Sequence, residues 1–327
     1  AKHRLTGPGA TAFLDWFTTN KLPRVGRINL TYALTSHGTT RTEYTIVREG
    51  ENDYYLVSAG AWEAYDEDYL YKAIEDTEDR FGRINAENVT SHWGVFAIAG
   101  PKSRDVLQSL IRDPDPATAL SNKRFPWLSA RTIELGMCPV KAIRVAYTGE
   151  LGWELHHPIE MQNYLWDRLM EAGQTHGLKP VGARAQNWLR QEKSYRAFGT
   201  ELGRDATPLE AGLDRFVDLE KDFYGKERLL ETGIRVKCVT LLFDGPEDAD
   251  PWGREALYTP DGTRTGRLTS GGYSAHFGKS IGMGYVKTDH AEPGTKLKVK
   301  MLNQLWDAEV TQDSPYDPKN ETIRRDG

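Results

Sequence analysis

The spacing of hydrophobic residues changes along the chain, and in the first third it predicts a short helix followed by a β-meander. Apolar side chains within residues 9–20 recur at helical spacing, so we predict a helix there. Three β-rich runs follow, and Ser36-His37-Gly38 provides turn residues between the first two. We therefore predict strands at residues 28–35, 41–48 and 54–58, each placing every second residue on a common face.

The middle of the chain alternates helical and extended patterns, which indicates an α+β arrangement. A short apolar run at residues 95–99 predicts a buried strand. Two further strands are predicted at residues 130–135 and 140–146. Helices are predicted at residues 62–81, 101–111, 161–173 and 183–195.

The character of the chain changes near Thr207, where we place a domain boundary. Residues 236–310 form short apolar runs separated by turn signals such as Pro260-Asp261-Gly262, a pattern typical of a small barrel or curled sheet. We predict a core of two α+β subdomains over residues 1–206 and a β-barrel subdomain over residues 207–327. The polar segment 315–327 is expected to lie extended over the surface.

Composition narrows the classes of partner. The 327 residues carry a net charge of −5 with both signs interspersed, so neither nucleic acid nor a membrane surface is an expected partner. No apolar run approaches the roughly 20 residues that span a bilayer. The two cysteines, Cys138 and Cys238, are far apart, which argues against disulfides and favours a reducing compartment, the cytoplasm or a mitochondrial matrix.

Several familiar cofactor signatures are missing from the sequence. It contains no G-x-G-x-x-G after a strand, no phosphate-binding loop and no H-E-x-x-H motif. His156 and His157 are adjacent on a predicted strand, so they point to opposite faces and cannot share one metal ion. We expect no metal site. Because the chain opens at Ala1 without methionine, we also expect a preceding segment.

The run Tyr147-Thr148-Gly149-Glu150-Leu151-Gly152-Trp153-Glu154-Leu155 couples a glycine-rich turn to a strand. Alternation on that strand places Trp153 and Leu155 on one face and Glu154 on the other. An oriented carboxylate among apolar neighbours suggests recognition of a polar heterocycle. The alternative is a surface hairpin with a solvated glutamate.

Two other segments offer candidate site residues. Alternation places Glu43, Thr45 and Val47 on one strand face, where a buried Glu43 could take a proton or stabilise positive charge. An exposed edge-strand glutamate is the alternative. Tyr195, at the end of a predicted helix, could support a flat ring or simply fill the core, and Glu192 could pair with Arg196 on the surface.

Five motifs in sequence order resemble the folate-binding aminomethyltransferase family, whose prototype is the T-protein of the glycine cleavage system. Glu43 falls where the family carries an acidic residue, and the run ending in Glu154 resembles the family's Y-T-G-E-x-G-x-E-[IL]. The remaining matches are WLRQEKSYRAFGTEL from Trp188, TPLEAGL from Thr207 and TSGGYSAHFGKSIGMGYV from Thr269.

The resemblance implies a three-subdomain α+β assembly around a central folate cavity, ending in a small β-barrel. It implies that Glu154 holds the pterin ring of tetrahydrofolate and that Glu43 faces the reactive nitrogens as the catalytic acid or base. It further implies that the folate slot is formed by Tyr147, Tyr195, Leu30 and Thr45, together with Gln186, which aligns with an arginine of T-proteins.

The Glu192-Lys193-Ser194-Tyr195-Arg196 run and the closing Ser314-Pro315-Tyr316-Asp317-Pro318 resemble most the carboxy-terminal folate half of dimethylglycine and sarcosine dehydrogenases. That resemblance implies capture of a one-carbon unit from an iminium or aminomethyl donor, giving 5,10-methylenetetrahydrofolate. A flavin oxidoreductase domain or subunit is the implied partner, with FAD only if an upstream flavin domain exists. The alternatives are the T-protein reaction, the folate domain of a trimethylamine-oxide-type demethylase and a non-catalytic folate-binding protein.

Overall fold

The first subdomain is a five-stranded antiparallel sheet covered by helices on one face. The computed structural model describes residues 1–326. The strands lie in the order β2-β3-β4-β1-β5. In chain order, the elements are β1 (Lys2–Thr6), α1 (Ala10–Phe17), β2 (Ile28–Leu34), β3 (Thr40–Gly50), β4 (Asp53–Val57), α2 (Glu63–Asp76), α3 (Glu78–Phe81) and β5 (Asn85–Asn88).

The two faces of β3 have different surroundings. Tyr44 and Ile46 are buried in the apolar cluster that also contains residues of α1. Glu43 and Thr45 therefore occupy the opposite face, where their register partners on β2 are Tyr32 and Leu30. The predicted meander is thus observed, and its alternation separates the core face from the face that carries Glu43.

The second subdomain is a four-stranded antiparallel sheet in the order β6-β9-β8-β7. Its helices cover the face that carries Trp153 and Leu155. Its elements are β6 (Trp93–Ala99), α4 (Ser103–Leu110), α5 (Pro116–Ala119), β7 (Ala130–Leu135), β8 (Cys138–Ile143), β9 (Gly152–Pro158) and α6 (Gln162–Gly173).

Strand β6 differs from the buried strand predicted at residues 95–99. It lies at the edge of the sheet, and Val95 is 39% exposed while Ala97 and Ala99 are also exposed. These three residues share the face of β6 that the helices do not cover, because the other face packs Ile98 into the core. The short apolar run hid this two-sided environment.

Helices α7 (Ala183–Glu192) and α8 (Lys226–Thr232) flank a segment that returns to the first sheet. In it, Leu202, Leu213 and Phe223 pack against Tyr32 and Leu34 of β2. The boundary predicted at 206/207 stays a prediction. The barrel strands themselves begin at Val236.

Helix α7 ends three residues before the predicted position 195. Ser194 has φ of 54°, the left-handed conformation that closes a helix, and the Tyr195 N–H donates to the Arg190 carbonyl. Tyr195 therefore leaves the helix axis instead of continuing it.

The last subdomain is a six-stranded closed barrel, which confirms the small C-terminal barrel predicted from the sequence. The strands close in the order β10-β13-β12-β11-β14-β15, and β15 pairs again with β10. Their inward side chains, including Leu241, Leu257 and Leu268, form the barrel core. The strands are β10 (Val236–Phe243), β11 (Ala256–Tyr258), β12 (Arg264–Ser274), β13 (Lys279–Lys287), β14 (Lys296–Met301) and β15 (Gln304–Val310).

Residues 313–326 form a C-terminal strap that runs over the surface as predicted, but it does so through turns and buries one side chain, so the predicted extended conformation is wrong; Gly327 lies outside the described residues. Ile323 is only 2% exposed. The Tyr316 N–H donates to the Glu192 carbonyl at 2.9 Å. Arg104 Nη2 donates to the Arg325 carbonyl at 2.8 Å. The strap thus joins α7 to the second subdomain.

No helix within residues 1–326 has both the length and the apolar character needed to cross a membrane.

Candidate functional site

The candidate site lies between the first and second sheets, which face each other. The hydroxyl of Tyr55 on β4 lies 3.0 Å from Nδ1 of His156 on β9. Around this contact, side chains from both sheets form one apolar cluster that includes Val47 and Ile143. Since Glu43 shares its strand face with Val47, and Glu154 shares its face with His156, both acids project from the facing surfaces.

Glu43 is partly buried next to the hydroxyl of Tyr32, its register partner on β2. Burial raises the pKa of Glu43 to about 7, and the nearby Tyr32 hydroxyl and Arg190 guanidinium offset part of that increase. The Tyr32 hydroxyl itself is buried without a hydrogen-bond partner among residues 1–326 that meets normal geometry. The pair therefore retains hydrogen-bonding capacity, and Glu43 can exchange a proton near neutral pH.

Glu154 presents a carboxylate beside an open apolar surface. Its side chain is 30% exposed, and Oε2 lies 3.2 Å from Nε2 of His156. Its register partner on the edge strand is Ala97, which is exposed on the same face as Val95 and Ala99. An acceptor-only carboxylate beside a flat apolar surface suits a planar ring that carries adjacent N–H donors.

Tyr147 and Tyr195 form one aromatic wall near Glu43. Their rings stack with centroids 5.9 Å apart and planes inclined by 18°. The Tyr147 hydroxyl donates to the Arg196 carbonyl at 2.9 Å. Burial raises the pKa of Tyr195 to about 12 and that of Tyr147 further, so both phenols remain protonated at neutral pH.

The remaining predicted site residues divide into two groups. Leu30 and Thr45 are register partners on the sheet face that carries Glu43, and both are partly buried. Gln186 lies on the exposed first half of α7. Among residues 1–326, no hydrogen bond or ion pair joins the Gln186 side chain to Glu43 or Glu154, and its place in the folate slot stays a prediction.

Sequence reasoning missed Tyr32, and it assigned no role to Arg190 or His156. The signal for Tyr32 was present, since it follows Leu30 by two residues on one strand face. Arg190 follows Gln186 by one helical turn, but only the fold shows that its Nη1 donates to the Tyr195 carbonyl at 2.7 Å. His156 was considered only as a metal ligand.

One surface depression lies outside this site, and another borders it at Tyr55. The first, of about 660 Å³, borders α8 and is lined by Trp16, Ser36 and Leu230, among others. The second, of about 400 Å³, is lined by residues that include Tyr55, Trp93 and Lys141. Neither is lined by Glu43 or Glu154, so the central folate cavity stays a prediction, supported by the facing sheet surfaces.

Two models of known protein families together match almost the whole chain. A family model described as the GCVT N-terminal domain matches residues 1–221. A second, described as the glycine cleavage T-protein C-terminal barrel domain, matches residues 237–317.

Individual relatives agree with these matches. Mitochondrial dimethylglycine dehydrogenase of Rattus norvegicus is 35% identical over 336 residues, an alignment that covers 100% of this chain and 38% of that enzyme. A probable aminomethyltransferase of Thermococcus gammatolerans is 30% identical, with 96% of this chain and 83% of that protein aligned. The chain thus spans well under half of the dehydrogenase.

A solved structure has the same fold. The glycine cleavage system aminomethyltransferase T from Bartonella henselae superimposes with a TM-score of 0.81 at 23% identity, covering 97% of this chain and 84% of that chain. This likeness shows the α+β architecture with its C-terminal barrel.

Proposed function

Because the chain belongs to the glycine cleavage T-protein family of folate-dependent aminomethyltransferases, we propose that it transfers a one-carbon unit to tetrahydrofolate from an oxidised N-methyl amine. The proposed donor is of the dimethylglycine or sarcosine type, and the product is 5,10-methylenetetrahydrofolate. One observation carries the proposal: Glu43 and Glu154 project from sheet surfaces that face each other across the Tyr55–His156 contact.

The residues present fit a reduced pterin. The buried Tyr32 hydroxyl without a partner and the adjacent Glu43 offer unused hydrogen-bonding capacity. Glu154 offers acceptors beside the exposed face of β6. Tetrahydrofolate supplies the two nitrogens that accept the methylene group, while the donor leaves as the demethylated amine.

Each group at the site then has a defined task. Glu154 accepts hydrogen bonds from the amino and ring N–H groups and so fixes the ring's orientation. Glu43, in its ionised form, accepts the proton that the nucleophilic nitrogen must lose and stabilises positive charge on the donor. Tyr147, Tyr195 and Leu30 line the slot and limit the access of water.

The proposed donor rests on the relatives. The aligned part of dimethylglycine dehydrogenase covers all of this chain at 35% identity, whereas the aminomethyltransferase of Thermococcus gammatolerans is 30% identical. A flavin oxidoreductase domain or subunit would generate the iminium form of the donor, and FAD would bind there. The cytoplasm or a mitochondrial matrix is the proposed location.

Replacing Glu43 with glutamine tests the proposal. The assay would follow 5,10-methylenetetrahydrofolate formed from the iminium that a dimethylglycine-oxidising flavoenzyme releases, with folate affinity measured separately by calorimetry. We expect Glu43→Gln to slow transfer about 10²- to 10⁴-fold while the dissociation constant of tetrahydrofolate changes little.

The exposed Glu247 provides a matched control, since Glu247→Gln should leave both quantities unchanged. Wild-type transfer rates in Glu43→Gln would contradict the catalytic role. Folate binding without transfer by the wild type would support a folate-binding protein instead. Faster transfer from an aminomethyl-lipoyl donor would support the T-protein reaction.

A further inference from the structure

A buried chain of hydrogen bonds continues behind Glu154 into the first sheet. The Glu154 carboxylate lies 3.2 Å from His156 Nε2, and His156 Nδ1 lies 3.0 Å from the Tyr55 hydroxyl. His156 is 0% exposed and Tyr55 only 1%. The three side chains come from two different sheets, so the fold and not local sequence assembles them.

The chemistry of the three groups sets the direction of these bonds. An ionised carboxylate can only accept, so Nε2 of His156 carries the hydrogen and donates it to Glu154. In a neutral imidazole Nδ1 is then the acceptor, and Tyr55 is the donor. Burial raises the pKa of Tyr55 far above its usual value, so the hydroxyl proton is present.

The surroundings of His156 hold this arrangement in place. From its own strand it meets Glu154, and its register partners are Lys141 on β8 and Val95 on β6. Lys141 Nζ lies 3.7 Å from the centroid of the Tyr55 ring and 2.7 Å from Oε1 of Glu49 on β3. The ammonium thus packs against the Tyr55 ring and ties it to Glu49 of the same sheet.

We propose that His156 and Tyr55 are positioning residues that hold Glu154 in the orientation needed to bind the pterin ring. This inference rests on the proposed function. His156 engages Oε2 and leaves Oε1 free of hydrogen bonds to residues 1–326. The free oxygen and the remaining lone pair of Oε2 then face the adjacent N–H donors of the ligand.

Preorganisation gives the expected size of the effect. A glutamate released from His156 samples several rotamers and must be ordered when the ligand binds. Ordering one such side chain costs about 0.5 to 1.5 kcal/mol, which corresponds to roughly a threefold to tenfold weaker affinity.

The test measures the dissociation constant of tetrahydrofolate by calorimetry for four variants in the full chain. These are His156→Phe, which removes both hydrogen bonds, His156→Gln, which keeps a donor, Glu154→Ala, and the double variant His156→Phe with Glu154→Ala. The neighbouring His157 is the matched control, because its ring points to the other face, where it stacks on Phe96 at 4.8 Å.

We expect His156→Phe to weaken binding roughly threefold to tenfold, His156→Gln to restore most of the loss and His157→Gln to have no effect. In the Glu154→Ala background, His156→Phe should change nothing further, because its effect passes through the carboxylate. An equal loss in both backgrounds would indicate a merely structural role and would overturn the inference.

Unchanged binding in His156→Phe, with binding weakened by Glu154→Ala, would overturn this inference alone. A wild type that binds no tetrahydrofolate, or binds it as well after Glu154→Ala, would instead contradict the proposed function. If His156→Phe does not fold, Tyr55→Phe takes its place in the test. A weaker affinity for tetrahydrofolate in Tyr55→Phe, with no further weakening when the same change is made in Glu154→Ala, would support the inference. An unchanged affinity in Tyr55→Phe would refute it.

Discussion

At the scale of single residues, Glu43 combines a raised pKa with few groups that offset it, two properties that seldom occur together in a stable core. Burial raises its pKa to about 7, while only Tyr32 and Arg190 offset the effect. A carboxyl group whose pKa lies near 7 can exchange a proton at physiological pH, but its burial lowers the stability of the folded protein. Glu43 therefore leads to one prediction about the rate of transfer and another about the stability of the protein.

The pH dependence of transfer should follow the ionisation of Glu43. Because the ionised carboxylate acts as the base, kcat/KM for tetrahydrofolate should rise with pH through an apparent pKa near 7 and then level off. Steady-state rates between about pH 5.5 and 8.5 would measure this profile. Glu43→Gln should retain a low rate without that step, and a wild-type profile that is flat across the same range would exclude Glu43 as the titrating base.

Although Glu43→Gln should lower the rate of transfer, it should raise the free energy of unfolding at pH 8. The folded-state pKa of Glu43 is raised from 4.5 to about 7, so the native protein binds its proton more tightly than the unfolded chain. The corresponding stability is fully present below pH 4.5 and is lost as pH rises through about 7.

Urea denaturation at two pH values would detect this linkage. At pH 8 we expect Glu43→Gln to be more stable than the wild type by roughly 1 to 3 kcal/mol. The advantage should shrink near pH 5. An advantage that is the same at both pH values would show that the charge of Glu43 is not its source.

At the scale of elements, the end of α7 organises the contact between the site and the barrel. Arg190 Nη1 donates to the Tyr195 carbonyl and lies 3.0 Å from Oε2 of the buried Glu201. Arg190 Nη2 donates to Ser270 Oγ of β12 at 2.7 Å. One guanidinium thus links the aromatic wall of the site to the barrel.

The close approach of α7 to β12 requires glycine on the strand. A methyl group added at Gly272 would overlap the indole ring of Trp188, whereas one added at Gly182, just before α7, would meet no atom within 4 Å. We expect Gly272→Ala to lower the unfolding free energy by about 1 to 3 kcal/mol, because the ring must move. Gly182→Ala should change it by no more than about 0.5 kcal/mol. Equal urea midpoints for the two variants would contradict this packing.

The sequence allowed prediction of elements whose pattern is local and two-sided. Strand β3 showed its alternation around Glu43, and the barrel strands were separated by turn residues. The end of α7 was not predictable in this way, because Ser194 adopts φ of 54° while its hydroxyl bonds Thr240 at 2.7 Å on the barrel. Such long-range support leaves no periodic signal.

The site follows the same division. Glu43 and Glu154 could be proposed from the sequence because each stands on an alternating strand within a recognisable motif, and their role at the site stays a prediction. The Tyr55–His156 contact could not be found, since its partners are 101 residues apart and belong to different sheets. The contacts of the polar strap were also not predictable, because the buried Arg104 and Arg144, far away in the chain, both donate to its Arg325 carbonyl.

At the scale of the whole molecule, the C-terminal strap connects parts that are far apart in sequence. Lys193 Nζ, buried at the end of α7, donates to the Asp317 carbonyl at 2.6 Å. The Tyr316 hydroxyl donates to Glu150 in the glycine-rich turn at 2.9 Å. The strap therefore supports the turn that precedes Glu154.

Truncating the buried side chain of the strap should destabilise the protein. Ile323→Ala removes an apolar side chain that is 2% exposed, so we expect a loss of about 2 to 4 kcal/mol in unfolding free energy. The exposed Glu321, two residues earlier, is the matched control, and Glu321→Ala should change stability by less than about 0.5 kcal/mol. Thermal denaturation that does not distinguish the two variants would show that the strap contributes little.

The central claim is that Glu43 and Glu154 converge on one reduced pterin, and a crystal structure of the protein with bound tetrahydrofolate tests it most directly. We expect the pterin ring between the two facing sheets, with N–H groups about 2.7 to 3.2 Å from the Glu154 carboxylate and Glu43 beside the reactive nitrogens. A pterin bound elsewhere, for example in the depression beside α8, with both acids free of the ligand, would contradict it.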